Sequence, residues 1–252
     1  MIVRYRNMET EHIVTSFDED LGQLETMISE MGGMAEAQLS DAVKALVNGD
    51  AVLAARAVKR DKKLDNFESE IGALAVRLLA LRKPMADDLR IVIAALKISS
   101  NLERIGDYAK NIAKRTIVLE RIPEIGDAVH SLIRMAGLTQ AMIKNVLDAF
   151  AARDSDNADD VRLRDEDVDR LYTSLFRELL TYMMEDPRNI TPCTHLLFMA
   201  KNLERIGDHT TGIAEQVHFM VLGETPPDER PKGDGSSMIV ARPKNSAKRG
   251  SE

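Results

Sequence analysis

Three features predict an all-α fold of two tandem, pseudo-symmetric three-helix bundles: a seven-residue string that occurs twice, helix-period apolar stripes divided by matched stop signals, and a helix-favouring composition. Asn101-Leu102-Glu103-Arg104-Ile105-Gly106-Asp107 returns letter for letter as Asn202-Leu203-Glu204-Arg205-Ile206-Gly207-Asp208, an offset of 101. Identity over seven positions without low-complexity bias marks a duplicated unit. Upstream, Arg60-Asp61 and Asp65 match Arg164-Asp165 and Asp169 at an offset of 104, and Leu21-Gly22, Met31, Gly33, Ala45 and Asp50 find Ile125-Gly126, Met135, Gly137, Ala149 and Asp154 at the same spacing. The offset changes near Pro84 in the first copy and Pro187 in the second, as an insertion confined to a loop would produce. Aromatic residues are 4% of the chain and Trp is absent, so Leu, Ala, Ile and Met carry the apolar share. That balance favours helices over sheets.

The first helix is expected from the capping box Ser16-Phe17-Asp18-Glu19 to about Val47, where Asn48-Gly49 stops it; residues 1–15 are a leader. Asp50 caps the second helix, whose apolar positions Leu53, Ala57, Leu64, Phe67, Ile71, Leu74, Leu78 and Leu81 keep a four-three spacing broken only at Arg60. Lys83-Pro84 ends it, because the residue before a proline is driven out of the helical region. The third helix places Ile91, Ala95, Ile98, Leu102, Ile105, Ala109 and Ile112 on one stripe and stops before Pro123. Residues 16–122 thus form one three-helix unit. The second unit, 123–222, repeats the plan with helices over about Glu124 to Ala152, Asp156 to Met184 and from Thr191, where Thr191-Pro192 reads as an N-cap followed by proline. From 223 to 252 the chain holds Pro, Gly-Ser runs and scattered charge with little to bury, and is expected to be disordered.

A net charge of −7 argues against a nucleic-acid partner, which would need clustered excess Lys and Arg. The single Cys193 excludes an internal disulfide, fits a reducing compartment and reads as a small buried hydrophobe. Neither a signal peptide nor the roughly 20 consecutive apolar residues of a bilayer span is found. The expected location is the cytoplasm.

Four acidic pairs stand at i, i+4: Asp61 with Asp65, Glu103 with Asp107, Asp165 with Asp169, and Glu204 with Asp208. Residues four apart share a helix face about 6 Å apart along the axis, where like charges repel. The midpoint of 61 and 107, and equally of 65 and 103, is Pro84; the corresponding midpoints of the second copy fall between Asp186 and Pro187. In a hairpin symmetric about its turn, four carboxylates therefore meet at one level, twice. One or two positions past the apolar seam, they are expected on a flank or outer face. Oxygen-only clusters suit Mg, Mn, Fe or, less well, Zn as divalent or trivalent ions. The alternative is a charge network in which Arg60, Arg104, Arg164 and Arg205 neutralise the acids. Gly106 and Gly207 are mid-helix glycines, each costing about 1 kcal/mol against Ala, and their repetition points to a close backbone approach.

The duplicated Asn-Leu-Glu-Arg-Ile-Gly-Asp, with an upstream Arg-Asp-x-x-x-Asp, resembles the PhoU family of bacterial phosphate-uptake regulators over about residues 16–222. The resemblance implies tandem three-helix bundles with multinuclear metal sites at Asp61, Asp65, Glu103 and Asp107 and at Asp165, Asp169, Glu204 and Asp208. It implies a homodimer that silences the phosphate-starvation response while phosphate is plentiful. The implied partners are the ATPase subunit of a phosphate ABC transporter and a phosphate-sensing histidine kinase, with membrane contact only through them. Asn111 corresponds to Gly212, so a further ligand there would belong to the first site alone.

Two other readings compete. A ferritin-like di-metal enzyme needs Glu-x-x-His on two bundle helices; Glu215-x-x-His218 has that form, but its counterparts are Lys114 and Ile117, and Glu9-x-x-His12 lies in the leader. A purely structural helical adaptor needs no metal at all. Phosphate loops and nucleophile elbows are not apparent, so no catalytic residue is assigned.

Overall fold

The protein is seen in a computed structural model that describes residues 2–82, 84–119 and 127–226, with side chains from Asp18 onward, Arg82 excepted. Six long helices and no strand are present among the described residues. They are α1 (Ile2–Asn48), α2 (Ala51–Arg82), α3 (Asp87–Leu119), α4 (Ala128–Ala152), α5 (Ser155–Glu185) and α6 (Ile190–Leu222). Most of the expected disordered tail lies outside the described residues.

The stops fall where turn chemistry places them. Gly49 adopts φ 63° after α1, and the Asp50 carboxylate accepts from the Val52 and Leu53 amides at 3.0 and 2.9 Å to start α2. Asp154 caps α5 through Asn157 N–H, and Gly223, at φ 80°, closes α6. Two starts differ from expectation. The backbone of α1 is helical from Ile2 and runs through Ser16, so the expected break between leader and first helix is absent. No Gly or Pro precedes Gly22, so no strong helix breaker separates residues 2–15 from the rest of α1. At the other turn, Pro187–Asn189 forms one 3-10 turn capped by Asp186, and α6 grows directly from it at Ile190. Thr191 is therefore inside the helix, and Pro192 sits in the first turn, where no amide hydrogen is required.

Helices α1–α3 pack together, as do α4–α6, and the bundles join through α3 against α6 with a smaller contact of α1 against α4. The α3 and α6 axes are antiparallel. Asn101 meets His209, with Nδ1 of the imidazole 2.9 Å from the amide oxygen, while Arg115 reaches His195 at 3.5 Å and lies 4.2 Å over the Phe198 ring. Arg153 pairs with Glu25 across the α1–α4 contact at 2.6 Å. Every predicted α3 seam residue is buried. On α2 the seam fails at Leu81, which is 72% exposed because the helix ends one residue later at the bundle tip. Cys193 is fully buried, as read from the sequence.

At Gly106 the side chain of α2 presses on the backbone of α3: a Cβ there would stand 2.3 Å from Cδ1 of the fully buried Leu64. Leu64→Ala should cost about 2–5 kcal/mol in urea unfolding. Added to Leu64→Ala, Gly106→Ala should restore stability, since its methyl enters the vacated space and raises helix propensity. Equal effects of Gly106→Ala in both backgrounds would show that the two residues do not share that space.

Candidate metal centres

The first cluster is built by α2 and α3. Asp61 is buried, Glu103 and Asp107 are half-buried, and Asp65 is exposed. Lys110, one turn beyond the repeated motif, bridges the two helices with its Nζ 2.5 Å from Asp61 Oδ2 and 2.5 Å from Asp107 Oδ1. Both carboxylates hold the ammonium proton, and Lys110 is pushed up to about 12 despite the opposing effect of burial. Arg104 contacts Glu103 and Asp107 of its own helix at 3.5 Å each, while Arg60 turns away to Asp41 on α1 at 2.8 Å. Of the arginines named as neutralisers, then, Arg104 serves the cluster and Arg60 pairs elsewhere.

Glu103 is pushed up to about 7, first by burial and then by Asp107, with Glu68 and Asp65 adding to the rise and Arg104 opposing it. Glu68 was missed by the motif search. Its spacing could have revealed it, because Asp61, Asp65 and Glu68 stand at i, i+4 and i+7 on one helix face.

The second cluster, between α5 and α6, is deeper. Asp165, Asp169 and Glu204 are buried at 2%, 4% and 6% exposure, and Asp208 is half-buried. Of the expected flank or outer-face placement, the outer face fails for four of the eight carboxylates, Asp61 included, which are buried between paired helices. Close helix packing is the reason. Gly207 has no Cβ, and one added there would lie 2.7 Å from Asp165 Oδ1, so the missing side chain admits a carboxylate against α6. Lys201, the residue before the motif and one turn before Glu204, holds Glu204 Oε1 at 2.8 Å and lies 4.8 Å over the ring of Tyr172, which stands where the first copy has Glu68. Arg205 approaches Glu204 and Asp208 at 3.8 and 3.7 Å. Burial raises the Glu204 carboxyl, Lys201 opposes that rise, and Asp208 adds to it.

Among the described residues, no three Asp, Glu, His or Cys side chains already stand in place around one ion. The donor chemistry nevertheless fits a hard cation. Glu204 Oε2 is buried without a hydrogen-bond partner, and Glu103 is crowded by three further carboxylates. A cation would relieve both. The Glu215-x-x-His218 pattern takes no part, because His218 turns to Asp159 at 3.0 Å.

A carboxyl raised in the folded state favours folding below its unfolded value, and that contribution disappears as pH climbs through the folded value. For Glu103 the window runs from 4.5 to about 7. Without metal, the melting temperature of the wild-type chain should fall relative to Glu103→Gln between those pH values. A constant difference across the window would mean that Glu103 is an ordinary surface carboxyl.

Comparison with known proteins places this geometry. The PhoU domain family model matches residues 28–116 and again 132–217, one match on each bundle. The chain is 50% identical over 232 residues to a phosphate-specific transport system accessory protein PhoU homolog of Rhizobium meliloti, covering 92% of this chain and 98% of that one. It is 52% identical over 225 residues to a homolog of the same description from Caulobacter vibrioides, covering 89% and 98%. The crystal structure of PhoU from Pseudomonas aeruginosa superposes with a TM-score of 0.80 at 40% identity, over 82% of this chain and all of that one. The phosphate transport system regulatory protein PhoU from Streptococcus pneumoniae superposes at 0.77 with 30% identity, over 84% and 99%. With a family match on each repeat and half-identical relatives along nearly its whole length, the chain belongs to the PhoU family.

Proposed function

We propose that this protein is a non-enzymatic regulator of phosphate uptake that represses the phosphate-starvation response while phosphate is ample. The observation that carries this reading is the carboxylate motif, repeated on α3 and α6 in a chain half-identical to phosphate-specific transport system accessory proteins. It acts as a cytoplasmic homodimer, linking the ATPase subunit of a phosphate ABC transporter to a phosphate-sensing histidine kinase and meeting the membrane only through these partners. No helix among the described residues is long and apolar enough to cross a membrane, which accords with a role exercised by docking. Docking can bias a partner only through differential affinity: an adaptor shifts a kinase from its active to its silent state when it binds the silent state more tightly.

The two clusters are the proposed metal centres, taking divalent or trivalent ions such as Mg, Mn, Fe or Zn. Asp61, Asp65, Glu103 and Asp107 would hold the first, and Asp165, Asp169, Glu204 and Asp208 the second. A bound cation would supply positive charge between α2 and α3 and between α5 and α6, where these carboxylates would hold it, while Arg104 and Arg205 pair with Asp107 and Asp208 from the same helices. Nothing in this arrangement calls for a reacting substrate.

Glu103→Gln combined with Asp107→Asn should lower the metal bound by the first cluster and leave the second unchanged. Elemental analysis of reconstituted protein measures it, and equal metal content in variant and wild type would leave the carboxylates as a charge network. A deletion strain should express phosphate-scavenging genes in phosphate-rich medium and accumulate phosphate. Normal repression there, in a strain without a second homolog, rules the regulatory reading out.

A further inference from the structure

The lysines of the two clusters occupy positions that the internal repeat does not share. Lys110 corresponds to Thr211, whose buried hydroxyl donates to the Gly207 carbonyl at 2.7 Å and carries no charge. Lys201 corresponds to Ser100. Duplication alone would have placed the two cations alike. Each bundle instead supplies an ammonium to its cluster from the opposite side of the motif: Lys110 follows Asp107 by one turn, and Lys201 precedes Glu204 by one turn. The arginines cannot account for this difference, because Arg104 and Arg205 are equivalent and make equivalent contacts.

We propose that Lys110 and Lys201 are built-in counter-cations that compete with metal, each setting the metal affinity of its own cluster. The inference rests on the metal reading above and adds the residue that regulates it. Lys110 carries the argument furthest. Its ammonium stands 2.5 Å from an oxygen on α2 and 2.5 Å from one on α3, joining the helices as a bridging cation would. Those same two oxygens belong to Asp61 and Asp107, so a metal drawing on both must move the ammonium out. The side chain is a flexible four-carbon stem with 20% of its surface exposed, and it has room to withdraw toward solvent. At the second cluster Lys201 holds one oxygen of Glu204 and leaves the other, buried, without a hydrogen-bond partner. Arg205 Nε stands 3.8 Å from that second oxygen, beyond hydrogen-bond reach, and a metal drawing on both oxygens of Glu204 must displace the Lys201 ammonium from the first. A lysine of this kind keeps the metal-free protein folded, because without it the carboxylates would repel one another across the helix pair. Metal binding is then an exchange of one cation for another.

The test is a calorimetric titration of the metal-free full chain with MnCl2, together with its melting temperature, for wild type, Lys110→Met and Lys110→Arg. Lys110→Met should bind Mn2+ at the first cluster about tenfold or more tightly than wild type, the worth of a charged hydrogen bond. Its metal-free form should melt lower, and Mn2+ should return it to the wild-type range. Lys110→Arg keeps the charge and should show no such gain. Lys201→Met should produce the same gain at the second cluster, leaving the first unchanged. Unchanged or weaker binding by Lys110→Met, while the second cluster still takes Mn2+, overturns the lysine proposal and leaves the metal reading standing. A gain in Lys110→Arg equal to that in Lys110→Met also overturns it, since size and not charge would then matter. If no protein in the series binds Mn2+, the metal reading fails and the exchange falls with it.

Discussion

The antiparallel packing of α3 on α6, marked by Asn101 against His209 and Arg115 against His195, governs what each helix can do with its remaining faces. One stripe of each helix is committed to the core and another to the opposite bundle. The acidic pairs are left to the sides where α2 and α5 lie. The helices run antiparallel, as Asn101 meeting His209 while Arg115 meets His195 shows. Tyr108 and His209, equivalent by the repeat, lie with ring centroids 5.5 Å apart on the same seam.

Like-charged carboxylates on packed helices are a standing electrostatic cost, and leaving one charge unpaired in the interior would cost several kcal/mol. The protein meets this cost in three ways. The motif carries its own arginine, exposed and within reach of both motif acids. Each cluster receives a lysine from the neighbouring turn. Glu103 relieves the remainder by holding its proton up to about 7.

The second cluster lies deeper than the first although its motif is identical. Tyr172 in place of Glu68 exchanges a carboxylate for a ring that covers Lys201, and the space left by the shared glycine is met by Leu64 in the first copy but by the Asp165 carboxylate in the second. Repeated sequence therefore does not mean repeated chemistry. The residues that differ between the copies are neighbours of the motif, and they decide how dry and how charged each cluster becomes.

The sequence alone was sufficient for the all-α class, the duplication, the positions of most helix ends and the eight acidic positions, because these depend on local periodicity, turn residues and spacing. Helix-period stripes on α3 were legible since every seam residue is buried, and Gly106 and Gly207 announced the close approaches they permit. The start of α1 and the role of Thr191 were not legible: capping residues only permit a helix to begin, and whether it begins there depends on what the preceding chain does. Burial of Asp61, Asp165, Asp169 and Glu204 also escaped a single-helix view, which ranks a position by its own stripe and cannot see the helix laid against it. Lys110 and Lys201 belonged to no repeated pattern, and only tertiary structure, by bringing α2 to α3 and α5 to α6, revealed which carboxylates each ammonium would meet.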